Sequence, residues 1–116
     1  NHEFYSYDAK YMDADGARLC IPANLEPRIM EQVRQMARDA YQILCLSGLT
    51  RIDFFLDKHT DCFYLNEVNT LPGFTSISMY PMLWQHDGLG YKELLQRLVE
   101  LAFERAALKG RIKTEK

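Results

Sequence analysis

Two short runs hold residues able to do chemistry together, Arg51-Ile52-Asp53 and Glu67-Val68-Asn69. Each lies in a stretch rich in β-branched and aromatic residues, Leu49 to Leu56 and Cys62 to Val68, separated by the polar Lys58-His59-Thr60-Asp61. That pattern predicts a β-hairpin. Residues two apart in a strand share a face, so each run presents its two polar side chains together. A turn centred on Thr60 sets Asp53 opposite Glu67 and Arg51 opposite Asn69, with directly opposed Cβ atoms about 4.5–5.5 Å apart. A slip of one residue would carry Glu67, and Val68 with it, to the wrong face. The apolar pattern and the polar cluster therefore demand the same parity.

Two carboxylates this close repel unless a proton or a cation lies between them. An Asp, a Glu and an Asn oxygen form a hard donor set. Such a set suits Mg²⁺, above all when phosphate oxygens and waters complete its octahedron. Glu67, in the middle, is placed to bridge two ions. Arg51 is placed to neutralise charge building on a transferring phosphoryl group or an oxyanion. The competing reading is an ion-pair network of Arg51, Asp53 and Glu67 on an exposed sheet face. The exit from the second strand, Asn69-Thr70-Leu71-Pro72-Gly73-Phe74-Thr75-Ser76-Ile77-Ser78, adds to the chemical reading. A glycine there lets the backbone approach a ligand, and its N–H can donate to an oxyanion. Ser76 and Ser78 are poor nucleophile candidates, because no histidine lies nearby in sequence to activate them.

The elements that must hold this hairpin are legible from periodicity. Phe4 to Met12 is aromatic-rich and partly alternating, Asp13-Ala14-Asp15-Gly16 has turn chemistry, and Arg18 to Ile21 reads as a short strand before Pro22. A first hairpin is expected there. Asn24 is a candidate cap for a helix of about 20 residues, whose stripe runs Ile29, Met30, Val33, Met36, Ala37, Ala40, Tyr41 and Leu44. Ser47-Gly48 is expected to close it. After the loop, a short helix is expected from about Tyr80 to His86. A second amphipathic helix follows from Tyr91 to Ala107, with Leu94, Leu95, Leu98, Leu101 and Ala102 inward. Residues 109–116 read as a flexible, solvated tail. The order predicts an α+β fold, an antiparallel sheet with flanking helices.

At 116 residues the chain has the size of one domain, and its composition is that of an ordinary soluble protein. Fourteen basic residues oppose sixteen acidic ones for a net charge of −2. This argues against a general nucleic-acid binder and against a polybasic membrane binder. No apolar run approaches the roughly 20 residues of a membrane span, and no signal peptide is visible. Cys20, Cys45 and Cys62 are odd in number and form no C-x-x-C. They read as small semi-buried hydrophobes in a reducing, cytoplasmic setting. His2, His59 and His86 are scattered and read as surface residues. Asn1 is not an initiator Met and the first residues already look structured, so the start reads as a cut edge.

The runs Arg51-Ile52-Asp53-Phe54-Phe55-Leu56 and Tyr64 to Pro81, with its Glu67-Val68-Asn69-Thr70-Leu71-Pro72-Gly73-Phe74-Thr75 core, closely resemble the D-alanine–D-alanine ligases of the ATP-grasp superfamily. Tyr5-Ser6-Tyr7-Asp8-Ala9-Lys10-Tyr11 matches that family's Y-D-x-K-Y segment in the same order. The resemblance covers nearly all of residues 4 to 105. It implies the C-terminal portion of an ATP-grasp domain over residues 1–108. It also implies an ATP-dependent union of two D-alanines through an acyl phosphate, as a step of peptidoglycan precursor synthesis.

Residue by residue, the resemblance implies Asp53, Glu67 and Asn69 as ligands of two Mg²⁺ (or Mn²⁺) ions, with Glu67 shared. Lys10 is implied as a phosphate contact, and Lys10, Asn66 and Glu67 together as the residues that bind the nucleotide. Arg51 and the Gly73 N–H are implied as oxyanion stabilisers, and Ser78 with the Met79 backbone as the grip on the second D-alanine's carboxylate. Tyr11 is implied as the tyrosine of a closing loop. D-Ala–D-lactate ligases build that loop differently and offer a histidine, so Tyr11 favours the dipeptide product. Lys10 as an exposed strand residue and Tyr11 as a packing aromatic remain the plainer readings of those two positions.

The stretch Cys45-Leu46-Ser47-Gly48-Leu49-Thr50 departs from the family's usual Leu-Gly-Cys-x-Gly-Leu-Ala, and is expected to alter packing and not chemistry. The implied partners are D-alanine, ATP, and N-terminal and central domains that these residues do not contain, so turnover is not expected of this stretch alone. A homodimer is compatible with the resemblance. The alternatives are another ATP-grasp carboxylate–amine ligase, including a D-lactate user, and a non-catalytic module of the same fold.

Overall fold

The structure is a computed structural model that describes residues 18–114. Helix α1 spans Pro27–Ile43, strand β1 Arg51–Asp57, strand β2 Cys62–Asn69, helix α2 Met79–His86 and helix α3 Tyr91–Thr114. The two strands form an antiparallel pair. The α+β class read from the sequence is the class observed.

Several boundaries differ from expectation, each for a local reason. Arg18 to Ile21 forms no strand. The other arm of the expected hairpin, residues 4–12, lies outside the described residues. Asn24 does not cap α1. Pro27 opens the helix, where its fixed φ and missing N–H cost nothing. The backbone oxygen of Glu26 accepts the first turn's bond from the Met30 N–H at 2.9 Å. The helix ends before Ser47-Gly48. Cys45 takes the left-handed position at φ 54°, its N–H donating to the Gln42 oxygen while Leu46 N–H reaches back to Tyr41. These are the two bonds of a Schellman closure. Helix α2 closes in the same way with glycine in that seat. Gly88 has φ 97°, and the Gly88 and Leu89 N–H groups donate to Gln85 and Trp84. Helix α3 runs seven residues beyond Ala107, so the expected frayed tail is helical as far as Thr114.

The hairpin turn is a four-residue loop. Asp57 accepts twice, at its backbone oxygen from Asp61 N–H (2.8 Å) and at its carboxylate from His59 N–H (2.9 Å). Asp61 sits at φ 55°, a conformation that Asp tolerates better than most residues. Asp57 pairs with Cys62, Phe55 with Tyr64 and Phe54 with Leu65, but Asp53 pairs with Glu67. Asn66 is left without a partner, as a β-bulge. One apolar face therefore carries Ile52, Phe54, Leu56, Phe63, Leu65 and Val68, with the Phe54 and Phe63 rings edge to face at 6.2 Å.

The core is thin. Among the described residues, Ile29 of α1, Tyr80 of α2 and Leu94 of α3 are the buried core side chains. Leu98 and Leu101 are half-buried, whereas Leu95 and Ala102, expected inward, are exposed. All three cysteines are free and exposed, correcting the semi-buried expectation, because little of this structure covers them. Two polar ties brace the entry to β1. The Tyr41 hydroxyl donates to the Gly48 oxygen at 3.1 Å, and Arg105 of α3 donates to the Ser47 hydroxyl.

Candidate functional site

The hairpin brings Arg51, Asp53, Glu67 and Asn69 to one face. Arg51 stands opposite Asn69, and Asp53 opposite Glu67, as the sequence predicts. The route to this pairing was not foreseen. Continued from Phe54–Leu65 without a bulge, the ladder would set Asp53 against Asn66 and turn Glu67 to the apolar side. The unpaired Asn66 restores Glu67 to the polar face.

Arg51 and Asp53 form a two-pronged bond, Nε to Oδ1 at 2.9 Å and Nη2 to Oδ2 at 3.0 Å. The same Nη2 lies 3.8 Å from Glu67 Oε1. The guanidinium thus supplies the positive charge that two facing carboxylates require. Exposure rises along the cluster, from 21% at Arg51 to 34% at Asp53 and 57% at Glu67. The carboxylates are therefore open to a ligand from solvent while the arginine is shielded. The Asn69 side-chain oxygen accepts from the Leu71 N–H at 3.2 Å, which sets the direction in which the loop leaves β2.

Among the described residues no three His, Cys, Asp or Glu side chains converge as a metal site. The donor set here is two carboxylates and an amide oxygen, all hard, all on one face. That set fits Mg²⁺ bound jointly with phosphate oxygens. Each carboxylate oxygen engaged by Arg51 keeps a second lone pair.

The loop after β2 is knit around Ser78. The Ser78 hydroxyl oxygen accepts from the Thr75 N–H at 3.0 Å and lies 2.8 Å from the Thr75 hydroxyl, and the Ser78 N–H donates to the Thr75 carbonyl at 3.0 Å. Gly73 packs so closely that a Cβ there would sit 2.9 Å from the Ser78 hydroxyl oxygen. Ser78 also holds the N-cap position of α2, with Met79 as that helix's first residue. The Phe74 ring contacts Tyr80 at 5.9 Å and Tyr91 at 5.0 Å. Tyr80 in turn lines a cleft of about 190 Å³ together with Arg51, Thr50, Trp84 and Asp87. Burial pushes the Tyr80 hydroxyl above its ordinary value of 10, against a hydrogen bond with Trp84 that pulls it down. Loop and carboxylate cluster are thus joined through one buried aromatic.

Lys10 and Tyr11 lie outside the described residues. Of the residues singled out in the sequence, Arg51, Asp53, Glu67 and Asn69 converge. Gly73 and Ser78 are in contact, and Asn66 serves the site as its bulge. Sequence reasoning passed over Thr75, Tyr80 and Tyr91, which hold the loop. Their spacing follows no helical or strand period, so no periodicity marks them. Phe55 and Tyr64 were also passed over. They form the next pair along the same face and are both exposed.

A family model described as D-ala D-ala ligase C-terminus matches residues 1–100. A D-alanine–D-alanine ligase A of Bradyrhizobium diazoefficiens is 56% identical over 105 residues, covering 90% of this chain and 28% of that protein. A D-alanine–D-alanine ligase A of Escherichia coli strain K12 is 51% identical over 112 residues, covering 97% and 30%. The solved structure of the D-alanine-D-alanine ligase from Coxiella burnetii superposes with a TM-score of 0.77 at 38% identity, over 79% of this chain and 26% of that one. The chain thus spans about 30% of the length of the curated relatives it matches. With the carboxylate hairpin and the Gly73–Ser78 loop in place, these matches make the chain a member of the D-alanine–D-alanine ligase family, within its C-terminal part.

Proposed function

We propose that this chain forms the metal–phosphate wall and the second-substrate site of a cytoplasmic, ATP-dependent ligase that joins two D-alanines for peptidoglycan precursor synthesis. The observation that carries the reading is the opposed pair Asp53 and Glu67, bridged by Arg51 and followed at once by the Gly73–Ser78 loop. Among the described residues, no helix is long and apolar enough to cross a membrane.

In the proposed reaction the γ-phosphoryl group of ATP passes to the carboxylate of the first D-alanine, giving an acyl phosphate and ADP. The amine of the second D-alanine then attacks the acyl carbon. The C–N bond forms, the tetrahedral intermediate collapses, and phosphate leaves with the C–O bond electrons. Asp53, Glu67 and Asn69 hold the divalent ions, which screen the phosphate charge when bound. Asn66 and Glu67, with Lys10, contact the nucleotide. Arg51, held beside Asp53 and Glu67, would neutralise the charge of the oxyanion, and the Gly73 N–H would donate to the same oxygen. Ser78 and the Met79 backbone hold the acceptor carboxylate. Phe55 and Tyr64, paired and exposed on the same face, supply aromatic rings for the nucleotide base to stack on. Tyr11 closes the site. The first D-alanine's pocket comes from outside these 116 residues. Catalysis on this plan is mostly positioning and charge neutralisation.

In the complete polypeptide, Glu67→Gln is expected to weaken Mg²⁺–ATP binding at least tenfold, on the order of a lost charged contact. Equal affinity in both proteins would sink the metal assignment. Phosphate release should require D-alanine and should fall when D-lactate replaces it as acceptor. Dominant use of D-lactate at neutral pH would undo the role given to Tyr11.

A further inference from the structure

Tyr91 opens helix α3, and its hydroxyl donates to the Phe74 carbonyl at 2.7 Å across seventeen residues of chain. Its ring meets the Phe74 ring edge to face, with centroids 5.0 Å apart and planes at 70°. The carbonyl it holds belongs to the Phe74–Thr75 peptide. The N–H of that same peptide donates to the Ser78 hydroxyl oxygen at 3.0 Å. One peptide unit is therefore fixed at both ends, by α3 on its carbonyl side and by Ser78 on its amide side. A planar peptide cannot turn one end without the other.

The consequence falls on the Ser78 hydroxyl. A serine oxygen has two acceptor lone pairs and one proton to donate. The Thr75 N–H occupies one lone pair. The Thr75 hydroxyl, 2.8 Å away, occupies the second when it acts as donor. Both lone pairs are then filled, and the Ser78 proton is left to point outward at an anion. A carboxylate accepts such a proton; an amine or a neutral amide does so less well.

We infer that Tyr91 is a positioning residue for the acceptor carboxylate, acting through the Phe74–Thr75 peptide to fix the direction of the Ser78 hydroxyl. The inference rests on the reading of Ser78 as the carboxylate grip. Tyr91 touches no substrate. Its phenol ring braces the loop and its hydroxyl sets the peptide.

The test uses the complete ligase polypeptide, with steady-state constants measured for ATP and for D-alanine at the acceptor site. Tyr91→Phe keeps the ring and removes the bond. It is expected to raise the acceptor KM about three- to tenfold, the range of one neutral hydrogen bond, with kcat, the ATP KM and the melting temperature little changed. Thr75→Val removes the second donor to the Ser78 oxygen without touching α3 or the peptide, and should raise the same constant. Ser78→Ala serves as the reference. If Ser78→Ala raises the acceptor KM and Tyr91→Phe does not, the Tyr91 inference is overturned while the Ser78 reading stands. If Ser78→Ala leaves that constant unchanged, the Ser78 reading falls and the inference falls with it. Equal losses in all constants for Tyr91→Phe would show a general structural role and overturn positioning.

Discussion

Gly73 and Ser78 show how much chemistry depends on a single missing methyl group. A Cβ on residue 73 would stand 2.9 Å from the Ser78 hydroxyl oxygen, closer than such atoms tolerate. That oxygen cannot swing aside without breaking its contacts to Thr75. Gly73→Ala in the complete polypeptide is therefore expected to cost about 1–3 kcal/mol of stability, the range for overpacking. In a Ser78→Ala background the nearest remaining atom is the residue-78 Cβ at 3.7 Å, an ordinary contact. The same substitution should then be nearly neutral. Melting curves of the four proteins in this double-mutant cycle measure the coupling, and additive losses would show that the two residues do not press on each other. The Arg51–Asp53–Glu67 cluster carries the complementary lesson. The ion-pair network and the metal-ligand reading began as rivals on the same residues; the structure forms the ion pairs and leaves the carboxylates open to solvent. The arginine holds the carboxylates together with its own charge, and it is the group that a bound cation would free.

At the scale of elements, backbone details decide how the residues are delivered. The bulge at Asn66 was legible in hindsight, because Leu65 and Val68 are both apolar yet stand three apart. Strict alternation would set them on opposite faces. They share a face with Phe54 and Ile52 only if one residue between them is skipped. The expectation used Val68 and the polar cluster to set parity and left Leu65 aside, so it reached the right pairing at the site with the wrong turn centre. The close of α1 has a similar origin. A stripe in the sequence says where a helix is amphipathic, but its end is set by which residue turns left-handed. Here that residue is Cys45 and not the glycine three positions on. A non-glycine side chain in that conformation costs about 1–2 kcal/mol. Cys45→Gly is therefore expected to stabilise the protein by about 1 kcal/mol, seen as a rise in the denaturation midpoint of the complete polypeptide. A fall would show that the thiol makes contacts outweighing the backbone strain.

At the scale of the whole molecule, apolar surface outruns what these elements cover. Phe55, Leu71, Ile77, Phe103 and Ile43 are each more than 60% exposed. The Cα radius of gyration is 17.1 Å, against about 13 Å for a compact chain of this size. The 116-residue polypeptide by itself is expected to bind a hydrophobic dye and to melt over a broad, weakly cooperative range. A sharp two-state transition without dye binding would show that these elements suffice as a folding unit. Periodicity and spacing by themselves determined the helices, the carboxylate hairpin and the pairing of Asp53 with Glu67. These are local or two-strand properties, governed by repeats of 3.6 and 2 residues. Only the tertiary structure decided that Asn66 bulges and that Arg51 grips Asp53. It alone showed Gly73 lying against Ser78 and Tyr91 reaching back seventeen residues to hold the loop. The first three depend on backbone and side-chain geometry that no repeat period encodes, and the last on where separate elements meet in space.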